Sequence, residues 1–288
     1  MQPLSVRQKL LRVLPSMTPQ RRLRPLLARA ATAALMAGSL VAAQTASLVR
    51  EQKALAVNGV KEIWRLEWAA PPSSVCGADD VAAAQSCSCA GFSYGEAGAL
   101  SLVRLRPGAP AERLSLAPFF KDASLPDLHE LAVLRRWPPV PAAADNEDDD
   151  WHHASDWNFL QRVQARGASD VMRLADYNHD GQASEFLLQV GTRPCGKRAL
   201  VLVGVSRSNP RLHVFASAEA PNTPLELGSR VWEAVRKSAN PVHVVEWPCE
   251  NHKEGVESIV TVAVRRGVFH VQRDDHPCLA DPPDDEGH

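Results

Sequence analysis

The first 43 residues of the chain contain no acidic residue, although seven of its 32 lysines and arginines lie there. All 33 aspartates and glutamates lie in residues 44–288, together with the other 25 basic residues. This part of the chain therefore carries a formal charge of −8, against −1 for the whole chain. An acidic surface repels phosphates, which argues against nucleic acids and anionic membranes as partners. It is compatible with binding of a divalent cation.

Residues 30–43 lack charge altogether and form a short apolar run behind this basic segment. A basic start, a short apolar run and small residues at Val41 and Ala43 predict a signal peptide spanning residues 1–43, cleaved after Ala43. No cysteine directly follows the run, which argues against a lipoprotein anchor. An uncleaved membrane anchor is the alternative, because residues 30–49 are uncharged over 20 positions. We expect a secreted, periplasmic or cell-envelope protein that leaves the membrane after cleavage.

The sequence also lacks the motifs of several enzyme classes. It contains no Walker loop and no dinucleotide-binding fingerprint. His129 begins a segment like a zinc-protease helix, but Val133 stands where the second histidine is required. These absences favour a binding or scaffold protein, with a protein or glycan as its ligand, over an enzyme.

Cysteine is absent from the leader but occurs six times after it, at positions 76, 87, 89, 195, 249 and 278. An even count in an exported chain predicts three disulfides, whose connectivity the spacing leaves open. Cys87 and Cys89 are too close to pair without strain, and Cys76 is a plausible partner for one of them. Cys249 and Cys278 flank a predicted hairpin and form a second plausible pair. Zinc bound with His252 and His276 is a lesser alternative.

Short segments of alternating apolar and polar residues dominate the chain and predict β-strands. Strands are predicted at residues 60–68, 99–107, 171–175, 186–190, 198–206, 211–217 and 241–247, with a hairpin at 257–273 turning at Arg266 and Gly267. Helices are predicted at 124–137, at 156–166 and at 224–241. This order favours a β-rich (α+β) fold of antiparallel sheets with a few peripheral helices, stabilised by disulfides.

Composition divides the chain after the leader. A proline-rich and then acidic stretch at 138–155 predicts a linker between a Cys-rich β/α subdomain at 44–137 and a β-rich subdomain at 156–278. The acidic, proline-rich residues 279–288 predict a disordered tail.

The segment between the strands predicted at 171–175 and 186–190 reads DYNHDG, with an aspartate, an asparagine and an aspartate at alternate positions. Side chains at alternate positions of a tight loop converge, and a glycine allows the positive φ that closes the curve. Oxygen ligands at irregular geometry suit Ca²⁺. The predicted ligands of a structural calcium ion are Asp176, Asn178, Asp180, the carbonyl of Gln182, and Glu185.

These residues, from Asp176 to the apolar strand after Glu185, resemble the calcium loop of FG-GAP (VCBS-type) repeats. The resemblance covers about 15 residues and implies a calcium loop between two strands, but not a full propeller, because we find one such unit. In that family the closing ligand is at position 9 of the loop, here Ser184, whereas the acid here is Glu185 at position 10. Either residue can complete the site.

The sequence leaves three other functional interpretations open. A secreted metal-dependent hydrolase would use Asp176, Asp180 and Glu185 around a catalytic metal or as acid and base. Residues 148–153 contain a second group of aspartates and histidines that could hold a cation. Phe92 and Tyr94, between two glycines, could contact a ligand.

Overall fold

The computed structural model describes residues 47–77, 91–92, 94–120, 131–138, 161, 165–193, 198–247 and 256–278. The predicted signal peptide, nearly all of the linker and the tail lie outside these ranges. The described residues all belong to one compact unit. No helix among the described residues is long and apolar enough to cross a membrane.

The described chain is β-rich, as predicted, and every pairing between its named strands is antiparallel. The strands are β1 Leu48–Val57, β2 Val60–Trp68, β3 Ser73–Val75, β4 Gly95–Gly98, β5 Leu100–Leu105, β6 Glu112–Ser115, β7 Ala132–Arg135, β8 Glu185–Thr192, β9 Arg198–Gly204, β10 His213–Val214, β11 Glu226–Gly228, β12 Val242–Trp247, β13 Val256–Arg265 and β14 Val268–Pro277. A helix α1, Ser229–Lys237, follows β11, and a 3₁₀ turn spans Ala117–Phe119.

The described strands form four sheets. The first sheet has the order β1-β2-β5-β6, and in the second β9 pairs with β8, β10 and β11. The third sheet is β12-β13-β14 and the fourth is β3-β4-β7. Because the hairpins β1-β2 and β13-β14 join neighbours in the chain, their tight turns set the registers.

Strand β9 separates two hydrophobic cores. Its residues alternate between them, since Val201 and Val203 belong to the first core and Leu200 and Leu202 to the second. The first core contains Trp64 and Leu102 of the first sheet, and the second contains Trp232 of α1 and Phe269 of β14. Strand β9 therefore has no solvent-facing side, which accounts for its nearly continuous apolar sequence.

The first core draws side chains from both sides of the predicted linker. Trp64 and Leu102 precede residues 138–155, while Phe186 and Val201 follow them. The predicted boundary between 44–137 and 156–278 therefore does not separate two independent cores.

The helix predicted at 124–137 is wrong at its C-terminal end, because Ala132–Arg135 is strand β7. All four residues of β7 are buried and pair with β4. The leucine spacing fitted a helix, but pairing with a distant strand decided the local conformation. Likewise, residues 171–174 form no strand, and only Ala175 makes a β-bridge.

The helix predicted over 224–241 is confirmed for Ser229–Lys237 but is wrong at its N-terminal end, because Glu226–Gly228 forms β11. Other strand predictions are confirmed by β2, β5, β8, β9 and β12, and so is the turn of the last hairpin at Arg266 and Gly267.

Both described cysteines, Cys76 and Cys278, are bonded in disulfides. No complete disulfide lies within the described residues, so the connectivity and the stabilisation of the fold by disulfides stay predictions.

Candidate metal centre

The predicted calcium loop is closed at its neck by a β-bridge between Ala175 and Glu185. The Ala175 N–H donates to the Glu185 carbonyl at 2.8 Å, and the Glu185 N–H donates to the Ala175 carbonyl at 3.2 Å. Residues 176–184 are thus held as a compact loop at the start of β8. We call residues 176–185 the acidic loop.

Two residues of the acidic loop lie in the left-handed region of backbone space, His179 with φ 53° and Gly181 with φ 85°. The positive φ predicted for Gly181 is confirmed. His179 adopts a conformation that is unusual for a residue with a side chain. Its ring Nε2 lies 2.8 Å from the carbonyl oxygen of Val235 at the end of α1, which links the loop to the helix.

Side-chain oxygens of Asp176, Asn178 and Asp180 lie close together inside the loop. The Asp180 N–H donates to Asp176 Oδ1 at 3.1 Å and to Asn178 Oδ1 at 2.9 Å. Asn178 Nδ2 donates to Asp180 Oδ2 at 3.2 Å, and the Gly181 N–H donates to Asp176 Oδ2 at 2.8 Å. Alternate spacing therefore brings these three predicted ligands together, as expected from the sequence.

Glu185 is completely buried at the neck of the loop. Its carboxylate accepts hydrogen bonds from the Tyr177 N–H at 2.9 Å and from Ser184 Oγ at 3.0 Å. Burial raises the pKa of Glu185 to about 8, and the charges of Asp180 and Asp176 add to this, although the two hydrogen bonds oppose it. Glu185 forms no ion pair within the described residues.

Ser184, the alternative closing ligand, is also completely buried. Its hydroxyl lies 3.0 Å from both Glu185 Oε1 and the carbonyl oxygen of Val205. Because a hydroxyl has a single proton, it donates to one of these oxygens at a time. Of the two closing candidates, Glu185 alone brings a carboxylate.

Gln182 lies apart from this group, because its side-chain Oε1 accepts a hydrogen bond from the Asn58 N–H at 2.7 Å. Its predicted ligand atom is the backbone carbonyl oxygen, which accepts no hydrogen bond within the described residues. The side chain thus joins the acidic loop to the β1-β2 turn, a role that the sequence did not indicate.

Two further contacts at the loop were not predicted. The Arg207 N–H donates to Asp180 Oδ2 at 2.8 Å, and Tyr177 packs its ring against Trp232 with centroids 5.9 Å apart. Both contacts join residues far apart in the chain, so no local pattern in the sequence signals them.

Chemically, the loop combines carboxylates with an amide oxygen. A carboxylate oxygen has two lone pairs, and Asp176 Oδ1 and Oδ2 each accept one backbone N–H, so both keep capacity for a cation. Within the described parts of the chain, no three His, Cys, Asp or Glu side chains are arranged to hold a metal. The candidate set therefore depends on the Asn178 amide oxygen and a backbone carbonyl, which are ligand types suited to calcium.

The other candidate sites gain no support. Phe92 and Tyr94 are both buried, which leaves little of either ring for a ligand. Residues 148–153 lie outside the described residues, and so do Cys249 and His252. Compared with known proteins, the chain matches no family model, no curated protein and no solved structure.

Proposed function

We propose that this chain is an exported calcium-binding protein of the β-rich class that acts as a binding or scaffold module. The observation that carries the proposal is the Glu185 carboxyl group, which is completely buried, is affected by the charges of Asp176 and Asp180, and forms no ion pair within the described residues. Burying an unpaired carboxylate is unfavourable, and a bound divalent cation would remove that cost.

Calcium fits the loop better than a smaller or softer cation. The available donors are carboxylate, amide and backbone carbonyl oxygens on an irregular loop, and neither histidine nor cysteine contributes. Calcium accepts six to eight such oxygens, whereas magnesium requires a near-ideal octahedron and zinc prefers nitrogen or sulfur. The ion would connect the neck of the loop to its turn and so support the structure.

A metal-dependent hydrolase is the competing function, and the raised pKa of Glu185 is the observation in its favour. Glu185 is completely buried, however, and its two oxygens accept hydrogen bonds from Tyr177 and Ser184. A general acid must reach its substrate within hydrogen-bond distance. The geometry therefore favours structural calcium binding over catalysis.

Calcium is expected to raise the melting temperature of the chain beginning at residue 44. With an affinity of ~10⁻⁴ M, typical of extracellular modules, 1 mM calcium contributes about 1.4 kcal/mol. For a chain of this size that corresponds to an increase of about 3–5 °C. The measurement is a melting curve with calcium and with a chelator.

Asp176→Ala should abolish the calcium effect, while Asp274→Asn, which removes an acid on β14, should keep it. Equal melting of the wild type with calcium and with chelator would exclude the calcium site. Turnover of an ester, phosphate or glycan substrate that depends on manganese or zinc, and is lost in Asp180→Ala, would establish the hydrolase instead.

The proposed signal peptide at residues 1–43 leads to a separate prediction. Expressed with its own first 43 residues in a cell that secretes proteins, the chain should be recovered outside the cytoplasm with Gln44 as its first residue. N-terminal sequencing of the purified protein measures this. A chain that keeps residues 1–43 and stays with the membrane fraction would instead support the uncleaved anchor.

A further inference from the structure

Three turns lie next to the acidic loop. They are the β1-β2 turn at 58–59, the loop at 207–211 and the β13-β14 turn at 266–267. Together with the acidic loop, we call them the tip surface. Its position beside the proposed calcium site makes it the natural place to look for a ligand of this module.

Contacts from each turn show that the tip surface is continuous. The Asn58 N–H donates to Gln182 Oε1, and the Arg207 N–H donates to Asp180 Oδ2. A Cβ atom built on Gly267 would lie 4.0 Å from the Cβ of Asp180. The backbone of Arg207 thus bonds to Asp180, Gly267 lies near Asp180, and the backbone of Asn58 bonds to a residue two positions away.

The tip surface is rich in exposed arginine, although residues 44–288 are acidic overall. Arg207, Arg265 and Arg266 are exposed and make no ion pair within the described residues. The Arg211 side chain is 84% exposed, and within the described residues its one ionic neighbour is Glu112 at 3.7 Å. Arg207 and Arg266 therefore bring exposed positive charge next to the acidic loop, and Arg211 and Arg265 lie in or next to the same two turns.

The backbone conformation at Arg266 disfavours arginine, so the geometry of the turn does not account for this residue. Arg266 and Gly267 have φ angles of 53° and 79°, and Asn58 and Gly59 in the β1-β2 turn have 50° and 78°. Both turns need two left-handed residues in succession, for which Asn-Gly is preferred. The β1-β2 turn has that pair, whereas the last hairpin has arginine at a position that disfavours it.

Calcium would change the charge of this surface. Without a cation, the carboxylates of Asp176 and Asp180 offset two of the neighbouring arginines. A bound divalent cation offsets two of the negative charges of the acidic loop, so the arginines contribute more to the local potential over about 8–10 Å. The surface would then attract carboxylates, which arginine binds in a bidentate manner.

Exposed apolar residues flank the same turns, and they favour a peptide over a purely polar polyanion as the ligand of this surface. Val60 is 46% exposed just after the β1-β2 turn, and Val268 is 43% exposed just after the β13-β14 turn. A sulfated glycan has no apolar group for these side chains to cover. A peptide that alternates acidic and apolar residues matches both features.

We propose that the tip surface docks an acidic, partly apolar peptide segment of a partner protein, and that calcium strengthens this docking. The proposal deepens the proposed function and depends on it only for the effect of calcium. Arg207, Arg265 and Arg266 supply the charge contacts, and Val60 and Val268 supply the apolar ones.

The test uses the chain from residue 44 and a fluorescent peptide of alternating aspartate and leucine, measured by anisotropy at physiological salt with calcium and with chelator. The control peptide has asparagine in place of aspartate. The double variant Arg207→Gln, Arg266→Asn should bind the acidic peptide about tenfold more weakly, because each exposed charge pair contributes a factor of a few. Arg65→Gln, which removes one positive charge far along β2, should bind as the wild type does.

Melting curves separate loss of binding from loss of structure. Arg266→Asn places the preferred residue in the turn, so it should melt at or above the temperature of the wild type while binding more weakly. The proposal is overturned if the asparagine peptide binds equally well, if the double variant binds normally, or if only heparin fragments bind.

Calcium titration of the same samples distinguishes the two proposals. If calcium does not bind but the acidic peptide binds through the arginines, the calcium function fails and the docking surface stands. If calcium binds and raises the melting temperature but the peptide does not bind, the docking surface fails and the calcium function stands.

Discussion

Replacing Glu185 by glutamine is expected to stabilise the calcium-free protein above pH 8, although the change removes a proposed metal ligand. The buried carboxyl has a folded-state pKa of about 8, well above its ordinary value of 4.5. A glutamine is neutral at every pH and keeps the acceptor for the Tyr177 N–H. The unfavourable burial of a negative charge would therefore disappear.

The raised pKa of Glu185 fixes the direction of the pH dependence. The folded state holds the proton more tightly than the unfolded state, so this stabilising contribution is complete below about pH 4.5 and is lost as the pH rises through about 8. Each pKa unit corresponds to about 1.4 kcal/mol, so the wild type should lose a few kcal/mol of unfolding free energy across that range.

Urea unfolding in chelator between pH 5 and pH 9 measures this loss. Glu185→Gln should show a flatter profile, and Glu257→Gln, on β13, should follow the wild type. Added calcium should restore stability to the wild type at pH 8 but not to Glu185→Gln, because the ion compensates the carboxylate charge. A wild-type profile that is flat in chelator would contradict the assigned burial of Glu185.

Trp232→Ala is expected to produce a large loss of stability, about 3–5 kcal/mol. Trp232 is fully buried in the second core, and its ring lies edge-on to Phe269 and Tyr177, at 5.6 and 5.9 Å between centroids. Its Nε1–H donates to the carbonyl oxygen of Leu200 at 3.0 Å. Alanine would leave a large cavity between α1 and the sheets.

Because Tyr177 belongs to the acidic loop, Trp232→Ala should also weaken calcium binding. Trp232→Phe keeps most of the ring but removes the donor to Leu200, and should cost about 1–3 kcal/mol. Val268→Ala, at an exposed position, should change the free energy of unfolding by less than about 0.5 kcal/mol. Denaturant unfolding and calcium titration measure both effects. If Trp232→Ala were as stable as Val268→Ala, the second core would not have the packing described above.

Local periodicity explains which elements were predicted correctly. Alternation over β2, β8 and β12 and the Arg-Gly turn of the last hairpin depend on residues close in sequence, and these elements are present. The helix predicted over 124–137 failed at Ala132–Arg135, where pairing with β4 overrides leucine spacing. Residues 171–174 alternate in part, but they have no strand partner within the described residues.

The acidic loop could be predicted from the amino-acid sequence, because the alternate spacing of Asp176, Asn178 and Asp180 and the φ required of Gly181 are properties of neighbouring residues. The complete burial of Glu185 could not, since its environment is built from strands and side chains far apart in the chain. The same holds for the arginines of the tip surface, which lie on separate loops. Backbone conformation is local, whereas burial and charge clustering depend on which distant segments the fold brings together.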